Sequence, residues 1–185
     1  MRKIYFFLIC TFLFIPQFSL SQSGIYESFV IIDSGFGNNY YDLNPHTQTG
    51  LFDFNGANLG SFACGETLDL NGGQNRIYKC GLDDITSGWL FYRIYSGAPS
   101  GAFIGIDLSN SVNNTGAAGC GGINQDWTTD NAGIDILAGL LAGTYSLEVY
   151  TLAHCTGCVS SPHYVSNGGF NFTATFTITD VNDPT

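Results

Sequence analysis

The chain has 185 residues, of which 11% are charged and 15% aromatic, with 24 glycines and a formal net charge of −10. A chain this apolar and this weakly charged is not intrinsically disordered, and a phosphate-backbone partner is excluded because Lys+Arg number 5 against 15 Asp+Glu. Holding nucleic acid requires basic side chains to displace counterions, whereas an acidic surface suits solubility outside a cell and tolerates divalent cations.

In chain order, "MRKIYFFLICTFLFIPQFSLSQ" comes first. Arg2 and Lys3 form a positive start, Ile4 to Ile15 is an apolar run, and Ser19 and Ser21 are small residues before a cleavage point at Gln22. That is the pattern of a secretory signal peptide over 1–21, too short for a membrane span of about 20 apolar residues. No later segment is long and apolar enough to cross. The expected product is exported, either secreted or at the cell surface, where disulfides persist. Removing Arg2 and Lys3 leaves Arg76, Lys79 and Arg93 against 15 acidic residues, a formal charge of −12. About 160 residues remain, enough for one domain with a real core.

"YESFVIID" (Tyr26–Asp33) reads as the first strand, followed by a glycine-rich turn and a short strand at Tyr40–Leu43. "LFDFNGANLGSF" alternates and breaks at Asn55-Gly56, a hairpin signal. "ETLDLNGGQNRIYKC" reads as a second hairpin around Asn71-Gly72-Gly73. Trp89–Tyr95 is a dense, central strand, "GAFIGIDLS" another, and 110–122 a long loop of Asn, Gly, Ala and Ser. A long strand runs from Thr144 to Ala153. The last strand alternates strictly, with Phe170, Phe172, Ala174, Phe176 and Ile178 on one face and Asn171 and four threonines on the other. One face therefore packs while the other is wet. No amphipathic helix is evident. The pattern predicts an all-β domain over 22–180, a two-sheet antiparallel β-sandwich of jelly-roll type, with a polar tail over 181–185.

"LLAGTYSLEVYT" resembles the signature of pre-peptidase C-terminal and related carbohydrate-binding β-sandwiches, in which a leucine-containing turn, Gly-Thr-Tyr and an alternating strand recur. "YYDLN", "DFNGANLGSF", "RIYKC", "LFYRIY" and "HYVSNGG" are similar to a module of large secreted bacterial surface proteins. The resemblance covers most of the chain after the signal. It implies a structural, non-catalytic β-sandwich that serves as an accessory part of a longer protein.

Five cysteines follow the signal: Cys64, Cys80, Cys120, Cys155 and Cys158. A three-residue loop in the second hairpin would set Leu68 opposite Arg76, Glu66 opposite Tyr78 and Cys64 opposite Cys80, within disulfide reach. "HCTGCVSSPH" then holds Cys155 and Cys158 between His154 and His163. A redox dithiol expects its first cysteine at a helix start, and this one follows a strand. Zinc would accept Cys120, Cys155, Cys158 and either histidine. A disulfide is preferred to both, because the compartment oxidises. It would either close the CTGC turn or tie Cys120 to one of the pair. The second option is slightly favoured, since pinning the long glycine loop would stabilise by about 3–4 kcal/mol.

The sequence contains no nucleophile elbow, HExxH, phosphate loop or dinucleotide fingerprint, and Asp83-Asp84 reads as a connecting turn, so no enzyme activity is expected. Asp33, Asn38, Asn39 and Asp42 offer oxygen ligands of the kind calcium takes in a loop. Trp89, Trp127, Tyr92, Tyr40 and Tyr41 are candidates for stacking on sugar rings. Trp89 reads as core because an apolar strand follows it. Trp127, flanked by Asn124, Gln125, Asp126 and Asp130, reads as a loop residue with polar groups that would orient hydroxyls. The expected ligand is a polysaccharide or cell-surface glycan. The alternative is a structural or adhesive subunit assembling with other extracellular proteins.

Overall fold

A computed structural model describes residues 23–43, 51–80, 83–117 and 123–180. The signal segment 1–21, Cys120 and the tail 181–185 lie outside these residues. Among the described residues the fold is all-β, with twelve strands: β1 (Gly24–Asp33), β2 (Asn38–Asp42), β3 (Phe52–Asp53), β4 (Asn58–Ala63), β5 (Asp69–Tyr78), β6 (Asp84–Tyr95), β7 (Ile104–Ala117), β8 (Ile123–Thr129), β9 (Ile134–Asp135), β10 (Gly143–Thr156), β11 (His163–Val165) and β12 (Phe172–Thr179). Among the described residues the only helical piece is a 3-10 turn at Asn167–Gly169, and no helix is long and apolar enough to cross a membrane.

The strands form one continuous curled sheet in the order β3-β2-β1-β5-β8-β7-β6-β10-β12-β4, with β11 added beside β10 and β9 beside β5. Pairing is antiparallel except at the two ends, where β2–β3 and β12–β4 run parallel. The long strand β7 pairs with β6 through its first half and with β8 through its second, so the sheet turns a corner along it. The two halves then face each other like the staves of a half-barrel. Leu70, Ile77, Leu90, Leu147, Val149 and Phe176 fill the space between them, each fully shielded from solvent. Each such side chain contributes about 1.5–3 kcal/mol. A polar clasp crosses the same interior. Ser28 donates to Asn75 at 2.8 Å and meets the Thr151 hydroxyl at 2.7 Å, and Asn75 Nδ2 donates to the Leu152 carbonyl at 3.1 Å. All three side chains are buried but bonded, so their burial carries no penalty for an unmet partner.

The closing alternation is observed in β12, whose Phe172, Ala174, Phe176 and Ile178 are buried, although Phe170, before the strand, is 85% exposed. Three expected elements differ. The segment Asn71-Gly72-Gly73 is no hairpin turn but lies inside β5. Register shifts there between the pairs Ile31/Gly72 and Ile32/Leu70, and Gly72 has φ +126° at this bulge. An added Cβ at Gly72 would strike the Thr129 carbonyl, and one at Gly73 would sit 2.8 Å from the Phe29 carbonyl. These glycines let three strands approach closely, the other reason a strand carries glycine. Asn55-Gly56 does turn the chain, but β3 and β4 do not pair with each other. The loop expected from Asn110 is instead strand as far as Ala117.

The loss of the second hairpin removes the register that set Cys64 against Cys80. Cys64 is free and exposed just past β4, which pairs with β12 and not with β5. Cys80 is disulfide-bonded, but not to Cys64. Cys155 and Cys158 bond to each other with Cα atoms 5.8 Å apart, so the CTGC turn closes on itself and neither is tied to Cys120.

Candidate functional site

The residues expected to bind sugar do not form a site. Trp127 is the middle of β8, paired with Asn75 on one side and Asn110 on the other, and is 9% exposed within the core. Its indole faces β6, where a Cβ at Gly88 would lie 3.2 Å from that of Trp127. The indole N–H donates to the Gln125 side-chain carbonyl at 3.3 Å, and Gln125 Nε2 donates to Asn113 at 2.8 Å. Asn124 and Gln125 are likewise buried. Asp126 is on the opposite face, 3.8 Å from Arg76, and burial pushes its carboxyl up from the usual range despite that guanidinium. Asp130 is exposed, and its carbonyl accepts from Asn38 at 2.8 Å. "NQDWTTDN" is therefore a strand with Gln125 and Trp127 turned inward, its amide placed to satisfy a buried indole.

The acidic loop is likewise committed to its own turns. One Asp33 carboxylate oxygen accepts from the Gly35 and Gly37 amides at 2.7 and 2.9 Å. Asn38 bridges to Asp130 and Asn71, and Asn39 bonds the Gly37 carbonyl. Asp42 is buried at the far end of β2, opposite Phe29, while Asp33 pairs with Asn38 at the near end. Four residues of strand separate the two carboxylates, about 13 Å. The four expected calcium ligands thus do not converge on one point.

A cluster of solvent-reachable rings lies elsewhere, on the outer face of β6, β7 and β10. Strand alternation puts Leu90 and Tyr92 inside and Trp89, Phe91 and Arg93 outside. Register sets Asp107, Trp89, Leu152 and Tyr164 across one rung, Gly105, Phe91 and Tyr150 across the next, and Arg93 beside Glu148 on the third. The rings make one connected platform. Trp89 and Phe91 stack at 6.0 Å and Phe91 and Tyr150 at 5.0 Å; Phe103 meets Tyr150 edge-on at 5.0 Å, and Tyr164 lies 6.4 Å from Tyr150. All five rings reach solvent, Tyr164 being 58% exposed. Gly105 makes the platform possible, since a Cβ there would come 3.0 Å from the Phe91 ring and 3.2 Å from that of Trp89.

One end of the platform is charged. The Arg93 guanidinium lies 4.4 Å over Phe103, and its Nε and Nη2 donate to the two Glu148 oxygens at 2.9 and 3.1 Å. Asn171 Nδ2 adds a 2.6 Å bond to the same carboxylate. Desolvation, then the neighbouring Tyr164, raises the Tyr150 phenol above its ordinary value, which keeps that ring neutral. Trp89 was expected in the core and Trp127 at the surface; their places are exchanged. Gly105 opposes Phe91 only through the β6–β7 register, which the sequence does not display.

At the far end of β10, β11 brings His163 opposite Ala153, near the Cys155–Cys158 turn. Burial pushes its imidazole below the ordinary 6.5, partly opposed by Asp83. A lowered value means that the unfolded chain takes the proton first. Its titration therefore adds no cost above pH 6.5 and destabilises the fold as pH drops below it. In thermal melts the parent should lose more stability than His163→Gln between about pH 7 and pH 5. Parallel pH profiles for the two proteins would show the imidazole to be solvated.

The chain matches no protein-family model, no curated protein and no solved structure. The likeness to pre-peptidase C-terminal and carbohydrate-binding sandwiches therefore rests on the residues quoted for it.

Proposed function

We propose that this protein is an exported, non-catalytic binding module that holds a neutral polysaccharide on the aromatic platform of β6, β7 and β10. In this reading the two halves of the curled sheet serve as the layers of a jelly-roll-type sandwich, and the module works at the cell surface or in the secreted fraction. The observation that carries it is the connected row of five solvent-reachable rings with Gly105 clearing space beside them. Aromatic faces stack on the C–H faces of sugars, and a row of rings can follow a chain of them. Asp107, exposed beside Trp89, supplies an acceptor at the border, and Arg93 and Asn171, held over the buried Glu148, lie at the other end. A chain of net charge −10 repels polyanions, which favours an uncharged polymer. The Cys155–Cys158 disulfide fits an oxidising compartment.

The test is affinity electrophoresis and pull-down on insoluble neutral polysaccharides, comparing the parent with Trp89→Ala and Tyr150→Ala. Loss of one such anchor should cost about 2 kcal/mol, roughly a 30-fold weaker Kd, with the melting temperature within about a few degrees of the parent. Gly105→Ala should weaken retention through the displaced rings. Unchanged retention in all three variants would remove the platform as the site. If no neutral polysaccharide retains the parent, but light scattering shows an oligomer that Trp89→Ala dissociates, the face is a protein interface and the adhesive-subunit reading replaces this one.

A further inference from the structure

We propose that Cys155, Cys158 and His163 are the ligands of a second site, one that takes a borderline-soft divalent cation such as Zn2+ once the disulfide between the two cysteines is reduced. Among the described residues these three form the group of His, Cys and carboxylate side chains whose donor atoms converge, all within 4.8 Å of one another. A tetrahedral zinc with Zn–S near 2.3 Å and Zn–N near 2.0 Å holds its ligands about 3.5–3.8 Å apart, so small side-chain rotations suffice. The backbone is set for it. The pair Ala153–His163 aligns the imidazole with the inward side of β10, two residues before Cys155. The Cys155 amide donates to Ser161 Oγ at 2.9 Å, which ties the turn carrying Cys158 back to the strand.

The second observation is on the histidine itself. His163 Nε2 is shielded from solvent and has no hydrogen-bond partner. A buried imidazole nitrogen without a partner is costly, and a metal ion would satisfy it. Asp83 is close enough to act on the imidazole electrostatically. Three protein ligands leave a fourth position for water or another donor, as in an open zinc site.

The disulfide and the metal exclude each other. A dithiol donor supplies two electrons, the S–S bond breaks to two thiols, and the donor leaves as its own disulfide. Binding the cation then forms two metal–sulfur bonds and releases two thiol protons to solvent. The platform on β6 and β10 plays no part, so this site stands or falls apart from the glycan reading.

Cobalt(II) is the probe. In a Cys64→Ser background the protein is reduced with a phosphine, freed of it under argon and titrated with Co2+. The expected result is one equivalent bound, with thiolate-to-cobalt charge transfer in the near ultraviolet and visible bands of tetrahedral intensity. The oxidised protein should show neither. His163→Ala should weaken binding by at least about a hundredfold. Since that variant could fold poorly, alkylation of the reduced parent chain gives a second measure: Zn2+ should slow modification of Cys155 and Cys158 but not of Cys64. Absence of the cobalt spectrum, equal affinity in a folded His163→Ala, or alkylation indifferent to Zn2+ would each leave the turn a plain disulfide staple.

Discussion

Trp127→Ala should lower the unfolding free energy by about 3–5 kcal/mol, the range for removing a buried tryptophan. The ring fills the space between β8 and β6 against Gly88, so its loss opens a cavity that two rigid strands cannot close. It also strips the Gln125 carbonyl of its indole donor inside a protected interior. In a domain of this size the melting temperature should fall by about 10 °C. Polysaccharide retention, measured where the variant is still folded, should be unchanged. Trp89→Ala is the mirror image, with stability kept and binding lost. If Trp127→Ala melts with the parent, the indole is not core, and the assignment of the two tryptophans to opposite faces is wrong.

The second large effect belongs to the ion pair at the charged end of the platform. Glu148 is 3% exposed and is held by Arg93 and Asn171. Arg93→Ala would leave a carboxylate in the interior with one amide for company, a change that costs about 3–5 kcal/mol in comparable pairs. Arg93→Lys should recover part of this but not the two-pronged contact. The double variant Arg93→Met with Glu148→Leu should be much milder than Arg93→Ala, because it removes both charges together. Urea denaturation of the single and double variants as a cycle gives the coupling directly. A cost below about 1 kcal/mol for Arg93→Ala would mean that water reaches the carboxylate and the pair behaves as a surface one.

The sequence shows some of this and hides the rest for a physical reason. Strand β12 is legible because one face is apolar and the other is threonine, so period two alone sorts its residues. Strand β6 is not: Trp89, Leu90, Phe91 and Tyr92 are all apolar, and which of them face out depends on partners far away in the chain. Gly88 admits Trp127 to the interior, and Gly105 clears the outer face for Trp89. Neither pairing leaves a trace in local spacing. Gly72 and Gly73 misled in the same way, since close approach of β1 and β8 calls for the same residue type as a turn. The glycine-rich turn after the first strand is legible, whereas the split between Asp33 and Asp42 needs the β1–β2 register. The sequence allows the Cys-x-x-Cys turn as well as a bridge to Cys120, and only three-dimensional proximity separates them.

The parallel pairing of β4 with β12 governs when the chain can fold. Thr175 of β12 lies beside Asn58, and its amide donates to the Ala57 carbonyl across 118 positions of sequence. The Ser28–Thr151 clasp spans 123. Contacts this remote make loop closure the slow step, and such β topologies fold in milliseconds to seconds rather than microseconds. A chain emerging amino-terminus first cannot seat β4 until residues 172–179 have been made. Strands β1, β2 and β5 can pair with one another early, but β4 waits for β12, so the sheet stays open through most of synthesis. That is a liability in a crowded cytosol and an advantage for a polypeptide that must thread a narrow channel before it folds. In the export proposed above, the sheet would close only once its last strand had followed the rest of the chain across.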